Sequence, residues 1–243
     1  MKTVTRQFEN TELQHQALAE SFRESVNDAN SRKEKIHIVL PGGSTPMKFF
    51  NYLSDPLGPE INWQAVHLYW GDERCVPPDH ADSNYGMTAA TLLDHIDIPG
   101  SHIHRIRGEN SAEDEVFRYS EEIKKNVPQN KPGLPQFDWI ILGLGTDGHT
   151  ASLFPHMTPF SFTGSICIIA NHPTTGQKRI SLNLAVLNNA KRITFLVSGA
   201  SKASIVSSIL KGTASTRRLP AALVLQQNGK TEWYLDRAAA KLL

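Results

Sequence analysis

Three apolar, β-prone runs in this chain end in the same way, and that repetition restricts the fold more than any other feature. Residues 36–40 stop at Pro41-Gly42-Gly43-Ser44-Thr45-Pro46, and residues 65–70 stop at Gly71-Asp72-Glu73-Arg74. Residues 138–142 stop at Gly143-Leu144-Gly145-Thr146-Asp147-Gly148-His149. A short buried strand, a polar turn and then a helix is the repeating unit of an α/β protein with a mostly parallel sheet and helices on both faces. Such sheets collect ligands outside the carboxyl ends of their strands, so the three turns are where chemistry is expected.

The intervening segments fit that plan. Thr11 with Gln14 three residues on matches a capping box, and Leu13, Ala17, Leu18, Phe22 and Val26 follow at helical spacing. Pro46 suits the first position of a helix, Asp82 or Ser83 can cap another, and residues 111–126 predict a charged helix. Residues 103–106 predict a short strand, and residues 131–135 are the most loop-like segment, too short for a domain linker. Beyond the third turn the pattern becomes β-rich. Strands are expected over 166–170, 179–184 and 192–197, a helix over 201–210, and strands around Leu223 and Trp233. With no internal repeat, a single domain over residues 1–243 is expected, carrying a small additional β-rich part.

Composition excludes several classes of function. A net charge of +1 gives no case for nucleic acid or membrane as the main partner. Cys75 and Cys167 stand far apart and form no disulfide framework, which fits a reducing compartment. Residues 1–10 lack the apolar core of a signal peptide and no run approaches bilayer length, so a cytoplasmic protein is expected.

Each turn carries a chemical possibility beside a bland one. In the first, glycine lets backbone N–H groups approach an anion and the following helix adds positive potential, although Gly-Gly-Ser also serves as plain punctuation. It is not a Walker loop, because the Gly-Lys-Ser/Thr ending is missing. In the second, Arg74 can hold phosphate or carboxylate with two parallel hydrogen bonds, or belong to a surface loop with a local ion pair. In the third, the His149 imidazole can take a proton from water, and Asp147 can orient the ring or simply shape the turn. No Gly-x-Ser-x-Gly elbow is present, so water is the simpler nucleophile. A fourth turn, Ser198-Gly199-Ala200-Ser201-Lys202, puts a lysine early in a helix, where a bound anion would offset its unfavourable position. The remaining histidines, His102 and His104 among them, lack a partner set for zinc.

Taken in order, these motifs resemble the 6-phosphogluconolactonase family. Those that carry the resemblance are Pro41 to Pro46, Asp72-Glu73-Arg74-Cys75-Val76-Pro77, Ser83-Asn84-Tyr85-Gly86 and residues 143–155. It continues through Arg179-Ile180-Ser181-Leu182, Leu187-Asn188, Ser198 to Ala203, Leu219-Pro220-Ala221-Ala222 and Trp233-Tyr234-Leu235-Asp236, nearly the whole chain. The resemblance implies a three-layer α/β/α, Rossmann-like fold shared with ribose-5-phosphate isomerase and glucosamine-6-phosphate deaminase. It also implies hydrolysis of 6-phosphoglucono-1,5-lactone to 6-phosphogluconate in the oxidative pentose phosphate pathway. His149 then falls on the family's general base and Asp147 on its neighbouring acid. Arg74 matches its phosphate-binding arginine and Lys202 its glycine-turn lysine. Gly42, Gly43, Ser44, Thr45 and Arg179 join them as substrate contacts. No metal or organic cofactor is required, the partner is the sugar-phosphate lactone, and a monomer or weak homo-oligomer is expected.

Two rivals share the fold. Glucosamine-6-phosphate deaminase also shows an Asp-Gly-His turn, but its motif runs on to Asn-Glu-Pro, with a glutamate that assists ring opening, where this chain has Ser152-Leu153-Phe154-Pro155. Its second turn ends Asp-Glu-Tyr, whereas this one ends in Arg74. A sugar-phosphate sensor on this fold would usually carry an N-terminal helix-turn-helix domain and lack the histidine. His156 stands where the family often has glycine or an acid, and Trp70 and Cys75 flank the second turn without an evident role.

Overall fold

The expected alternation of strands and helices is present in the computed structural model, which describes residues 2–43, 45–55, 60–157, 164–224 and 229–243. The chain begins with β1 (Lys2–Phe8), α1 (Thr11–Ser31), β2 (Ile36–Leu40) and α2 (Thr45–Ser54). It continues through β3 (Val66–Trp70), β4 (Asp72–Arg74), α3 (Asn84–Thr91), β5 (Ile103–His104) and α4 (Ala112–Asn126). A small hairpin, β6 (Gln129–Lys131) and β7 (Leu134–Pro135), leads to β8 (Trp139–Leu142). Next come β9 (Cys167–Asn171), β10 (Lys178–Leu182), α5 (Leu184–Asn188) and β11 (Arg192–Val197). The chain closes with α6 (Ala203–Leu210), α7 (Pro220–Leu223) and β12 (Lys230–Asp236).

Seven strands form one sheet in the order β1-β12-β11-β8-β2-β3-β5, with every neighbouring pair parallel. Its central strands are buried at every position, as apolar runs covered on both sides must be. On one face Phe22 of α1 packs against Phe49 of α2 and Trp139 of β8. The register places His37, His67, Tyr69 and His104 on the other face, where α4 supplies Glu122. This is the expected three-layer arrangement. From β2 the chain builds outward through β3 and β5, then returns to β8 and builds the other way. The strand order therefore reverses between β2 and β8, and a crevice opens at their carboxyl ends. A three-stranded antiparallel sheet, β4-β10-β9, stands beside that crevice. No helix among the described residues is long and apolar enough to cross a membrane.

Several expectations need correction. Asn10, not Thr11, caps α1 by accepting the Leu13 N–H, and Gln14 is buried with its amide donating to Val197 O and Tyr234 O. β1 has no apolar run to announce it, because it is an edge strand with mostly exposed side chains. The strand expected around Leu223 is the helix α7, where Pro220 fits the first turn and two alanines follow. The strand expected to run to Leu184 stops at Leu182, and Asn183 opens α5. Residues 131–135 are part of a hairpin that turns at Gly133, whose φ is +74°. The additional sheet borrows β4 from the second turn and is not built only from strands after residue 166.

Candidate active site

The loops leaving β2, β3, β8 and β11 converge on one cavity of about 310 Å³ at the carboxyl edge. Gly42, Gly43, Thr45, Arg74, His149, Arg179 and Lys202 all line it. Ser44 lies outside the described residues. A larger depression of about 1280 Å³ between α1 and residues 60–64 shares none of these residues, and its arginine, Arg23, is paired with Glu20. The chemistry belongs to the smaller cavity.

The histidine loop is built to hold one ring orientation. Asp147 Oδ1 accepts both the His149 backbone N–H (3.1 Å) and Nδ1 (2.6 Å). A carboxylate only accepts, so the Nδ1 proton points at Asp147 and Nε2 keeps a free lone pair. Asp147 therefore touches the ring from behind and does not itself line the cavity. Partial burial works to raise the Asp147 carboxyl, yet the His149 N–H and imidazole hold it below the usual carboxylate range. Gly145 makes this geometry possible, because a Cβ there would lie 2.2 Å from His149 Nδ1. Gly148 turns the loop at φ +86°, a conformation that favours glycine. The ring rests against buried Phe154 with centroids 5.0 Å apart, and His156 and His172 contact the same phenyl group. Downstream, Ser152 donates from Oγ to Asp72 Oδ2 (2.6 Å) and from its N–H to Ser181 Oγ (3.2 Å). These bonds tie the histidine loop to the antiparallel sheet.

The same cavity holds a pair of adjacent cations. Arg74 on β4 and Arg179 on β10 are direct cross-strand partners. Like charges in that register repel, so the arrangement favours an anion between or beside them. Neither Nε has a hydrogen-bond partner although both are buried. Burial lowers the Arg179 guanidinium from its ordinary value; nearby Asp72 opposes this and Arg74 adds to it. Lys202 closes a single 3-10 turn just before α6, and burial lowers its ammonium while Asp147 opposes the shift. From the side of β2, Gly43 turns at φ +88° and α2 begins at Thr45. Gly42 must lack a side chain because a Cβ would meet Asn84 Oδ1 at 2.1 Å.

The second turn differs from a solvated loop with a local ion pair. Asp72 and Glu73 are 6% and 2% exposed, and neither forms an ion pair with the Arg74 guanidinium. Asp72 and Asn84 line the cavity and were not singled out individually from sequence. The only signal for them was the pairing of three charged residues after a buried strand with Ser83-Asn84 downstream. Among the described residues no group of three His, Cys, Asp or Glu side chains is placed to hold a metal ion.

Comparison with known proteins places this geometry in a family. The model of glucosamine-6-phosphate isomerases/6-phosphogluconolactonase matches residues 9–233. A 6-phosphogluconolactonase of Haemophilus influenzae is 49% identical over 209 residues, covering 86% of this chain and 88% of that one. A solved structure described as devB protein shares 41% identity with a TM-score of 0.92, covering 99% of each chain. The structure of 6-phosphogluconolactonase from Trypanosoma brucei shares 27% identity at a TM-score of 0.85, covering 100% of this chain and 99% of that one.

Proposed function

The chain belongs to the glucosamine-6-phosphate isomerase/6-phosphogluconolactonase family, and we propose that it hydrolyses 6-phospho-D-glucono-1,5-lactone to 6-phospho-D-gluconate with His149 as base. The observation that carries this reading is the shared cavity: an Asp-oriented imidazole together with two adjacent guanidiniums that pair with no carboxylate among the described residues. His149 Nε2 takes a proton from water as the oxygen attacks the lactone carbonyl carbon. The carbonyl oxygen gains charge in that step, and N–H groups of the Gly42–Gly43 turn stabilise it. Collapse of the tetrahedral species breaks the ring C–O bond, and the proton held by His149 passes to the leaving hydroxyl. Asp147 stabilises the imidazolium between the two transfers.

Arg74 and Arg179 hold the phosphate at the far end of the sugar, with Lys202 adding positive potential. Their contacts are made equally in ground and transition states, so they fix register and set affinity more than rate. The ring-opening rival lacks its glutamate here, since Phe154 occupies that place as a fully buried ring. β1 and β12, from opposite ends of the chain, pair in one sheet, which supports one domain acting as a unit. All of these groups come from one chain, which suits a monomer or weak homo-oligomer. Cys75 and Cys167 are free, in keeping with a cytoplasmic enzyme. Purified protein should release acid from freshly prepared 6-phosphogluconolactone well above the spontaneous rate. Ammonia release from glucosamine 6-phosphate, without lactone turnover, would overturn the proposal.

A further inference from the structure

Glu73 lies beside the cavity without lining it. Its side chain is buried, and among the described residues no lysine or arginine side chain pairs with it. Both oxygens are instead taken up by the surrounding chain. Oε1 accepts the N–H of Arg74 (2.7 Å) and of Asn84 (2.8 Å). Oε2 accepts the N–H of Tyr85 (2.7 Å) and the Ser83 hydroxyl (3.1 Å). The first N–H groups of a helix have no partner within it, and here a carboxylate from a neighbouring strand satisfies two of them at the start of α3. Residues 83–85 are thereby pinned against β4.

That pinning reaches Arg74 at both ends. Its backbone N–H is held by Glu73 directly. Its Nη1 donates to the carbonyl of Asp82, the residue immediately before the pinned segment. With root and tip fixed, Nε stays buried and unpartnered at the cavity. The same segment carries Asn84, whose amide donates to Asp72 O and abuts Gly42.

We infer that Glu73 is a positioning residue for phosphate recognition: it clamps the start of α3 onto β4 so that the Asp82 carbonyl presents Arg74 to the substrate. The inference rests on the reading of Arg74 as a phosphate contact. An acceptor-only side chain is required, because four donors converge on it. Glutamine keeps the shape but offers one acceptor oxygen and turns an NH₂ group toward N–H donors, so segment 83–85 loosens.

The test combines Glu73→Gln, Arg74→Ala and the double variant, with kcat, KM and competitive inhibition by inorganic phosphate measured for each. Glu73→Gln should raise KM and the phosphate inhibition constant in parallel, about tenfold, with kcat within about twofold of the parent. In the Arg74→Ala background the same change should add less than about twofold, because the two act as one unit. A fall in kcat at unchanged KM, or a tenfold rise in KM that persists without Arg74, would overturn the inference. Should Glu73→Gln not fold, Glu73→Asp keeps an acceptor-only group but draws it back from the start of α3; a rise of about twofold or more in both constants supports the inference and unchanged constants overturn it. Absence of turnover by the parent protein would count against the lactonase reading alone. Phosphate binding by the variants, followed calorimetrically, still reports on Glu73 in that case.

Discussion

The two edges of the central sheet both carry histidines, and they use them in opposite ways. At the carboxyl edge, His149 is partly exposed, hydrogen-bonded to one carboxylate and set in a cavity whose arginines pair with no carboxylate among the described residues. Towards the amino ends of β2 and β3, on the face under α4, His37, His67 and the His104 that reaches them from β5 are each no more than 5% exposed. His67 Nδ1 meets His104 Nε2 at 2.9 Å, His104 Nδ1 meets Glu122 at 2.8 Å, and the His67 ring stacks on His102 at 4.0 Å. Residue type alone does not make a site. A partner that fixes the tautomer, open space and a charge pattern lacking its counter-ion do. The amino-edge rings have the first of these and lack the others.

The comparison can be broken most forcefully at the ring's support. Asp147→Asn replaces an acceptor with a group that can donate to Nδ1 and favour the wrong tautomer. It should lower kcat by about 10²-fold or more with little change in KM, as steady-state assay on fresh lactone would show. Gly145→Ala drives a methyl group into the same ring and should lower kcat by about tenfold to a hundredfold, with the fold retained by circular dichroism. Removing a cation acts on affinity instead. Arg179→Ala should raise KM about tenfold to a hundredfold and leave kcat within a few-fold, since the contact is uniform along the reaction.

The smallest effect sharpens the other side. Burial pushes His37 down to about 4 and His67, helped by neighbouring imidazoles, down to about 3, against an ordinary value of 6.5. Both groups are neutral in either state above pH 6.5. As pH falls below it, the unfolded chain takes up protons that the folded one refuses, so stability falls with pH towards about 4. Unfolding free energies from urea titrations at pH 7.5 and pH 5 should differ by on the order of 1 kcal/mol per histidine, and His67→Gln should flatten the dependence.

The same contrast explains what the sequence made legible. The carboxyl-edge turns announce themselves locally, because an apolar run, a glycine and a charged residue sit within ten positions of one another. Arg179 had no such local cue from its strand and came only with the family likeness, since its partner Arg74 is over a hundred residues away. The burial of Glu73 depends on α3 folding back over it, so from sequence the trio of charges fits a surface loop as well as a site. Histidines at 37, 67, 102 and 104 meet only because three parallel strands align. β1 stayed hidden because an exposed edge strand needs no apolar run, and α7 because Leu223 suits a strand as well as a short helix.

Everything turns on which edge does the chemistry, and one paired assay decides it. At saturating, freshly prepared 6-phosphogluconolactone, His149→Gln should lose about 10²- to 10⁴-fold in kcat while still binding 6-phosphogluconate, and His67→Gln should keep kcat within about twofold. A His149→Gln enzyme that turns over at the parental rate would contradict the account.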